Sequence, residues 1–138
     1  MAELGNLVGA IRDALDGDPE VGRVFDTYAG PNLTEDDFPV VVFSIAVGVT
    51  THFPGAAGAV DQITGSVLVY HHTLAAEGTA AMRDIADRTQ AALHQSNLTA
   101  TGWRSIQCRL VSRSPIEAIG EGMYQQVDTY NLIGEPTL

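Results

Sequence analysis

The chain contains no lysine; its basic residues are seven arginines set against seventeen aspartates and glutamates, which leaves a formal net charge of −10. So acidic a surface repels phosphate backbones and anionic headgroups, which excludes charge-driven binding to nucleic acid or membrane in general. Cysteine is nearly as scarce. Cys108 stands alone, so it has no internal disulfide partner, and nothing points to an oxidising compartment. Long hydrophobic runs are also missing: the run Phe38 to Val49 is too short and too rich in valine for a membrane span. The N-terminus shows no basic region followed by an apolar run, so no signal peptide is expected. The sequons Asn32-Leu-Thr34 and Asn97-Leu-Thr99 then read as chance matches. Synthesis in the cytosol is the expectation.

What is present suits a folded chain. Its 138 residues have room for one domain, and 45% hydrophobic with 17% charged residues is a globular balance. Leu4, Leu7, Val8, Ile11 and Leu15 recur at helical spacing, with Glu3 in the first turn and Asp16-Gly-Asp-Pro19 as a stop. Arg23 to Tyr28 predicts a short first strand, and Ala29 to Asp37 a polar loop ending in three consecutive acids. Phe38 to Val49 predicts a strand that is apolar on both faces at its start, hence central. Thr50 to Val60, with Pro54, Gly55 and Gly58, predicts an exposed, mobile loop. Asp61 to His71 is the returning strand of an antiparallel hairpin, with Gly65 marking a bulge.

The second half is more regular. Met82, Ile85, Ala86, Thr89 and Leu93 form the buried stripe of a helix starting near Gly78-Thr79, with Thr79 as its N-cap and His94 to Asn97 as its end. Asp84 and Arg88 stand four apart on its outer face in the favourable acid-first order. Trp103 to Arg113 alternates strictly through Ile106, Cys108 and Leu110, which places Arg109 and Arg113 together on the other face. Met123 to Ile133 is the last strand. It is polar on both faces, so it is expected to complete its packing against a neighbouring molecule; Gly134 to Leu138 reads as a frayed tail. Together these predict a single α+β domain with a mainly antiparallel four- to five-stranded sheet and two helices packed on one face.

No motif carries chemistry. His71 and His72 are adjacent on a strand and point to opposite faces, while His52 and His94 lie elsewhere; all four read as surface or edge residues. There is no HExxH, paired cysteine, phosphate loop or GxSxG elbow. Cys108, in an apolar phase, reads as a buried structural thiol. Glu35 to Asp37 lacks the spacing of a calcium loop. No catalytic residue, cofactor or metal is expected.

The order of elements resembles the tail terminator (tail completion) family of long-tailed bacteriophages over nearly the whole length. The likeness runs from the Leu4-to-Leu15 helix through Phe38-Pro-Val-Val-Val and Ser66-Val-Leu-Val-Tyr70. It continues in the Ile85-Ala-Asp helix closing on Ala91-Ala-Leu-His94, then Ser105-Ile-Gln-Cys-Arg-Leu110 and a strand with Tyr124 and Asp128. The resemblance implies a non-enzymatic virion protein of the tail or neck, made in the host cytoplasm. It implies a homohexameric ring that caps the tail tube, stops its polymerisation and offers a docking face to the head connector. The partners implied are further copies of the chain, the major tail tube protein and a head-tail connector or head-closure protein, with DNA passing through the lumen and no membrane. Six subunits would carry a charge of about −60, and an acidic lumen would let DNA slide. Thr50, Thr51, His52, Phe53, Arg109, Arg113, Tyr124 and Tyr130 are the candidate subunit or tube contacts. A head-closure protein of the same neck is the alternative, and an α+β ligand-binding protein or enzyme without a recognisable motif is the second.

Overall fold

The computed structural model describes residues 4–17, 23–25, 38–52, 61–94, 97–120 and 122–137. Helix α1 spans Leu4–Asp16 and buries Leu7, Ile11 and Leu15 along one stripe, as the spacing predicts. Strand β1 (Arg23–Phe25) pairs parallel with β2 (Val40–His52), which pairs antiparallel with β3 (Asp61–Leu74). A single 3-10 turn, Ala75–Glu77, leads directly into α2 (Gly78–Leu93). Then come β4 (Asn97–Ala100), β5 (Trp103–Arg113), β6 (Glu117–Ile119) and β7 (Met123–Pro136). The seven strands form one sheet in the order β1-β2-β3-β7-β5-β4, with β6 also pairing with β7.

Both helices cover the same face, and their apolar stripes share one core with Val41, Phe43, Val67, Val69, Ile106, Cys108, Tyr130 and Leu132. Helix α2 lies on β3, β7 and β5; α1 lies against both β1 and β4, the two ends of the sheet path. A sheet whose opposite edges meet one helix must curl around it, as the right-handed twist of strands favours. The expected α+β architecture and the hairpin of β2 with β3 are therefore both present.

Several local expectations fail. Thr50, Thr51 and His52 are strand rather than loop, and pair with Ile63, Gln62 and Asp61. The bulge lies in β2 between Val47 and Val49, opposite Gly65. That glycine has its own reason: a Cβ there would stand 2.2 Å from the Ala46 carbonyl oxygen. Thr79 lies inside α2, whose N-cap position is Glu77. Asn97 to Ala100, where the sequence predicts no element beyond the helix end, is an edge strand. Residues 134–136 are not a frayed tail but the end of β7, where Gly134 lets Trp103 lie flat; a Cβ there would be 2.7 Å from the indole. Glu3, the acidic loop 29–37 and residues 53–60 fall outside the described residues.

The largest correction concerns β7. It is not a half-satisfied strand awaiting a neighbour but the centre of the sheet, paired with β3 on one side and β5 and β6 on the other. Pro115, which has no N–H to donate, separates β5 from β6. Ser114 bridges the gap: its N–H donates to the Val127 carbonyl at 2.8 Å, and its hydroxyl accepts from the Val127 N–H at 2.9 Å.

Candidate functional site

The polar residues of β7 turn inward, and α2 explains how they can. Gln126, Asp128 and Tyr130 share the core face with the apolar Leu132, and Asp128 has no solvent exposure. A buried carboxylate needs a partner, and a bulge in β5 supplies one. The register shifts between Leu110 and Ser112, so Val111 is the extra residue and the phase inverts beyond it. Arg109 stays opposite Asn131 on the outer face, whereas Arg113 stands opposite Asp128 on the helix-covered face. The two arginines therefore do not share a face, contrary to the alternation read from sequence.

Arg113 works as a clamp. Its Nε donates to Asp128 Oδ1 at 2.9 Å and Nη2 to Oδ2 at 3.1 Å, a two-pronged pair. Its remaining donors reach α2: Nη1 to Asp87 Oδ1 at 3.1 Å, Nη2 to the Ala86 carbonyl at 3.1 Å and to Gln90 Oε1 at 3.0 Å. Burial alone would lower the pKa of this guanidinium, but the bonds and charges of Asp128 and Asp87 prevail and raise it.

His71 lies beside the clamp and is fully buried, which corrects its reading as a surface or edge residue. The cause is length. β3 runs on to Leu74, so His71 keeps the inward phase of Val67 and Val69. Its Nε2 is 2.7 Å from Thr89 Oγ1 and its Nδ1 is 3.2 Å from the Gln126 carbonyl oxygen. Burial pushes its pKa down to about 4, so at neutral pH the ring is uncharged. A neutral ring fits the Gln126 carbonyl with Nδ1–H donating, and Nε2 faces the Thr89 hydroxyl, for whose single proton it competes with the Ala86 carbonyl at 2.9 Å. His72 points the other way, and its Nε2–H donates to Gln125 Oε1 at 3.0 Å. His94 Nδ1 accepts the Leu110 N–H at 2.9 Å, which ties the end of α2 to the β5 bulge.

This seam is closed to substrate. His71, Thr89 and Asp128 have no exposed surface, and burial pushes the Cys108 thiol up to about 12, far from a nucleophilic thiolate. Among the described residues no three His, Cys, Asp or Glu side chains converge to hold a metal ion, and no helix is long and apolar enough to cross a membrane.

Among the described residues no helix lies on the opposite face of the sheet. It carries Ser44, Ser66, Leu68, Thr129, Asn131 and Ile133 across the three central strands. Val111 is 56% exposed and Ile133 41%. Arg109 is exposed on this face, on β5 towards the β4 side of the sheet, and makes no side-chain hydrogen bond or ion pair with any described residue. Beyond the rung that joins Ile63 to Gly134, the β2–β3 ladder continues for two further rungs with no β7 beside it, Thr51 with Gln62 and His52 with Asp61. Of the candidate contacts, Thr51 and His52 sit on this arm, Thr50 at its base opposite Ile63, and Arg109 on the bare face. Tyr124 is half-buried at the β6 end of β7, Arg113 belongs to the clamp, Tyr130 is wholly in the core, and Phe53 lies outside the described residues. Asp87 and Gln90 carry no sequence signal for this role; Asp128 enters the sequence reading only through the resemblance, and its alternation with Tyr130 on β7 is the signal for its burial.

No protein-family model and no curated protein matches the sequence. Solved structures do. A chain from the virion of a native gene transfer agent particle superposes with a TM-score of 0.66 at 16% identity, covering 97% of this chain and 98% of that one. A second solved structure, known only by a reference number, gives a TM-score of 0.65 at 9% identity over 98% and 94% of the two chains. At these identities the likeness is one of fold, and it spans nearly the full length of both chains in each case.

Proposed function

We propose that the chain is a structural protein of a virion, built to assemble rather than to catalyse. The observation that carries this reading is the end-to-end superposition on a virion chain, with neither partner leaving a domain unmatched. The division of polar groups agrees with it. His71, Asp128 and Cys108 are buried beneath the helices, while the open sheet face offers exposed Val111 and Ile133 and an Arg109 that pairs with no described residue. Within the virion, the tail terminator is the role we assign: a homohexameric ring on the tail tube, docking to the head connector or head-closure protein, with DNA crossing the lumen. Thr50, Thr51, His52, Arg109 and Tyr124 are its candidate contacts.

The test is assembly. Native mass spectrometry and negative-stain imaging of the purified chain, alone and with tube protein, should show a six-fold ring. A stable monomer at high concentration with tube protein present would sink the reading. Deleting the gene should leave filled heads and over-long tubes; normal tails with leaking heads would instead identify a head-closure protein.

A further inference from the structure

The start of β2, the end of β3 and the first turns of α2 enclose a cleft of about 180 Å³. That is smaller than the several hundred Å³ typical of small-molecule sites, and is the size of a single side chain. Its walls are apolar, from Phe38, Pro39, Leu74 and Ile85. Its depth holds an anomaly. Thr73 lines the cleft, is 3% exposed, and its hydroxyl has no hydrogen-bond partner. A buried hydroxyl without a partner costs about 1–3 kcal/mol, so a donor arriving through the mouth would recover that energy. The rim is acidic. Asp84 is shared with Arg88, but Glu77 is exposed and has no hydrogen bond or ion pair among the described residues.

Apolar walls, an accepting hydroxyl and a carboxylate rim describe the complement of an arginine side chain, which lays its stem on apolar surface and keeps its charged fork for acceptors. Arg109 is an unpaired arginine on a different surface of the same molecule, with the uncharged Gln107, Val111 and Asn131 around it. It cannot fill its own cleft, because it lies on the outer sheet face while the cleft lies under α2. Two complementary patches on different surfaces make a head-to-tail contact, the kind that closes into a ring; a two-fold dimer needs one self-complementary patch instead. We infer that the cleft of Thr73, Glu77 and Asp84 receives Arg109 of the next copy of this chain. The inference rests on the ring reading and names one contact within it.

Both side chains are exposed and unpaired among the described residues, so Arg109→Glu should leave the monomer's melting temperature unchanged, and Glu77→Arg, at the N-cap of α2, should lower it by only a few degrees while the monomer stays folded. Sedimentation velocity across a concentration series reads the assembly midpoint. Arg109→Glu and Glu77→Arg should each raise that midpoint at least roughly tenfold, and the double variant should bring it back towards the wild-type value. Arg83→Glu, an equal change of net charge at another exposed, unpaired arginine, should assemble like the wild type. Rings that form in both single variants at the wild-type midpoint would overturn this contact and leave the ring standing. So would a loss of assembly in Arg83→Glu as large as in Arg109→Glu, because net charge would then be the cause. A wild-type chain that stays monomeric would overturn both readings.

Discussion

Replacing Arg113 with methionine tests the clamp, because it removes the guanidinium while keeping most of the side chain's length. The change strips both carboxylate oxygens of Asp128 of their partner and frees Asp87, Gln90 and the Ala86 carbonyl on α2. Removing one member of a fully buried pair costs about 3–5 kcal/mol, since the other charge is left without compensation. Asp128 is fully buried but Arg113 is 27% exposed, so water can reach part of the vacated space. The lower end, about 3 kcal/mol, is the appropriate figure. At about 2.1 cal/mol/K per residue, a chain of 138 residues has an unfolding entropy near 0.3 kcal/mol/K, so the melting temperature should fall by about 10 °C. The second arm is Arg113→Met with Asp128→Leu, which takes away the stranded carboxylate too. It should recover most of the loss, since buried pairs exchanged for apolar groups are often neutral. Scanning calorimetry or urea unfolding at neutral pH reads both. A drop under about 3 °C in the single variant, or a double variant as unstable as the sum of its parts, would refute the view that this pair fastens α2 to the sheet.

Three further outcomes follow from the same geometry. His71 has its pKa lowered to about 4 from 6.5, so between those values the unfolded chain binds a proton that the folded chain refuses. Stability should therefore decline by roughly 3 kcal/mol as pH falls from 6.5 to 4; His71→Gln should flatten that part of the urea-unfolding profile, and an unchanged slope would contradict the assignment. Cys108, 1% exposed with its thiol held up to about 12, should be inert to a thiol reagent in the native protein and react only as fast as the chain opens; prompt stoichiometric labelling would show otherwise. Gly65→Ala forces a Cβ to 2.2 Å from the Ala46 carbonyl and should destabilise by about 2 kcal/mol or more, detected as a lower urea midpoint; wild-type stability would mean that the bulge relaxes freely.

The regions that were legible from sequence are those where one periodicity runs unbroken. The α2 stripe of Met82, Ile85, Ala86, Thr89 and Leu93 is buried at every position read for it, because a helix of 16 residues leaves little freedom once its apolar spacing is set. β5 has the same clarity up to Leu110. Beyond it a single extra residue, Val111, reverses the phase, and a bulge of that kind leaves no mark in a pattern of side chains. Arg113 was therefore assigned to the wrong face by one residue. β7 failed for a different reason. Period-two reasoning takes polar residues as solvent-facing, yet Gln126, Asp128 and His71 are buried because each finds a partner on another element, and such pairings are not local. Strand ends were missed where pairing outlasts hydrophobicity, as in Thr50 to His52 and Gly134 to Pro136.

The corrected β7 alters the argument for assembly. A half-satisfied last strand would have implied a neighbour through exposed backbone and poor packing. The structure removes that implication, since β7 is the best-paired strand in the sheet. What remains is more specific. The helix-covered face pairs its buried charge within one chain, through a clamp that uses every nitrogen of Arg113. Unmatched groups remain in the core, at Gln126 Oε1 and the Tyr130 hydroxyl, and at the surface or facing it among the described residues: Arg109 on the open sheet, Arg83 on α2, Glu77 at the rim of a cleft and the Thr73 hydroxyl within it. Of these, Arg109, Glu77 and the Thr73 hydroxyl are the ones for which we propose a partner on another copy of the chain. The case for assembly therefore shifts from an unstable strand to complementary surfaces on a stable monomer, and such a monomer should fold first and associate afterwards. Dilution of an assembled sample should then yield folded monomers with the β-sheet circular dichroism spectrum intact; dissociation that coincides with unfolding would show that the interface, rather than the Arg113 seam, holds the domain together.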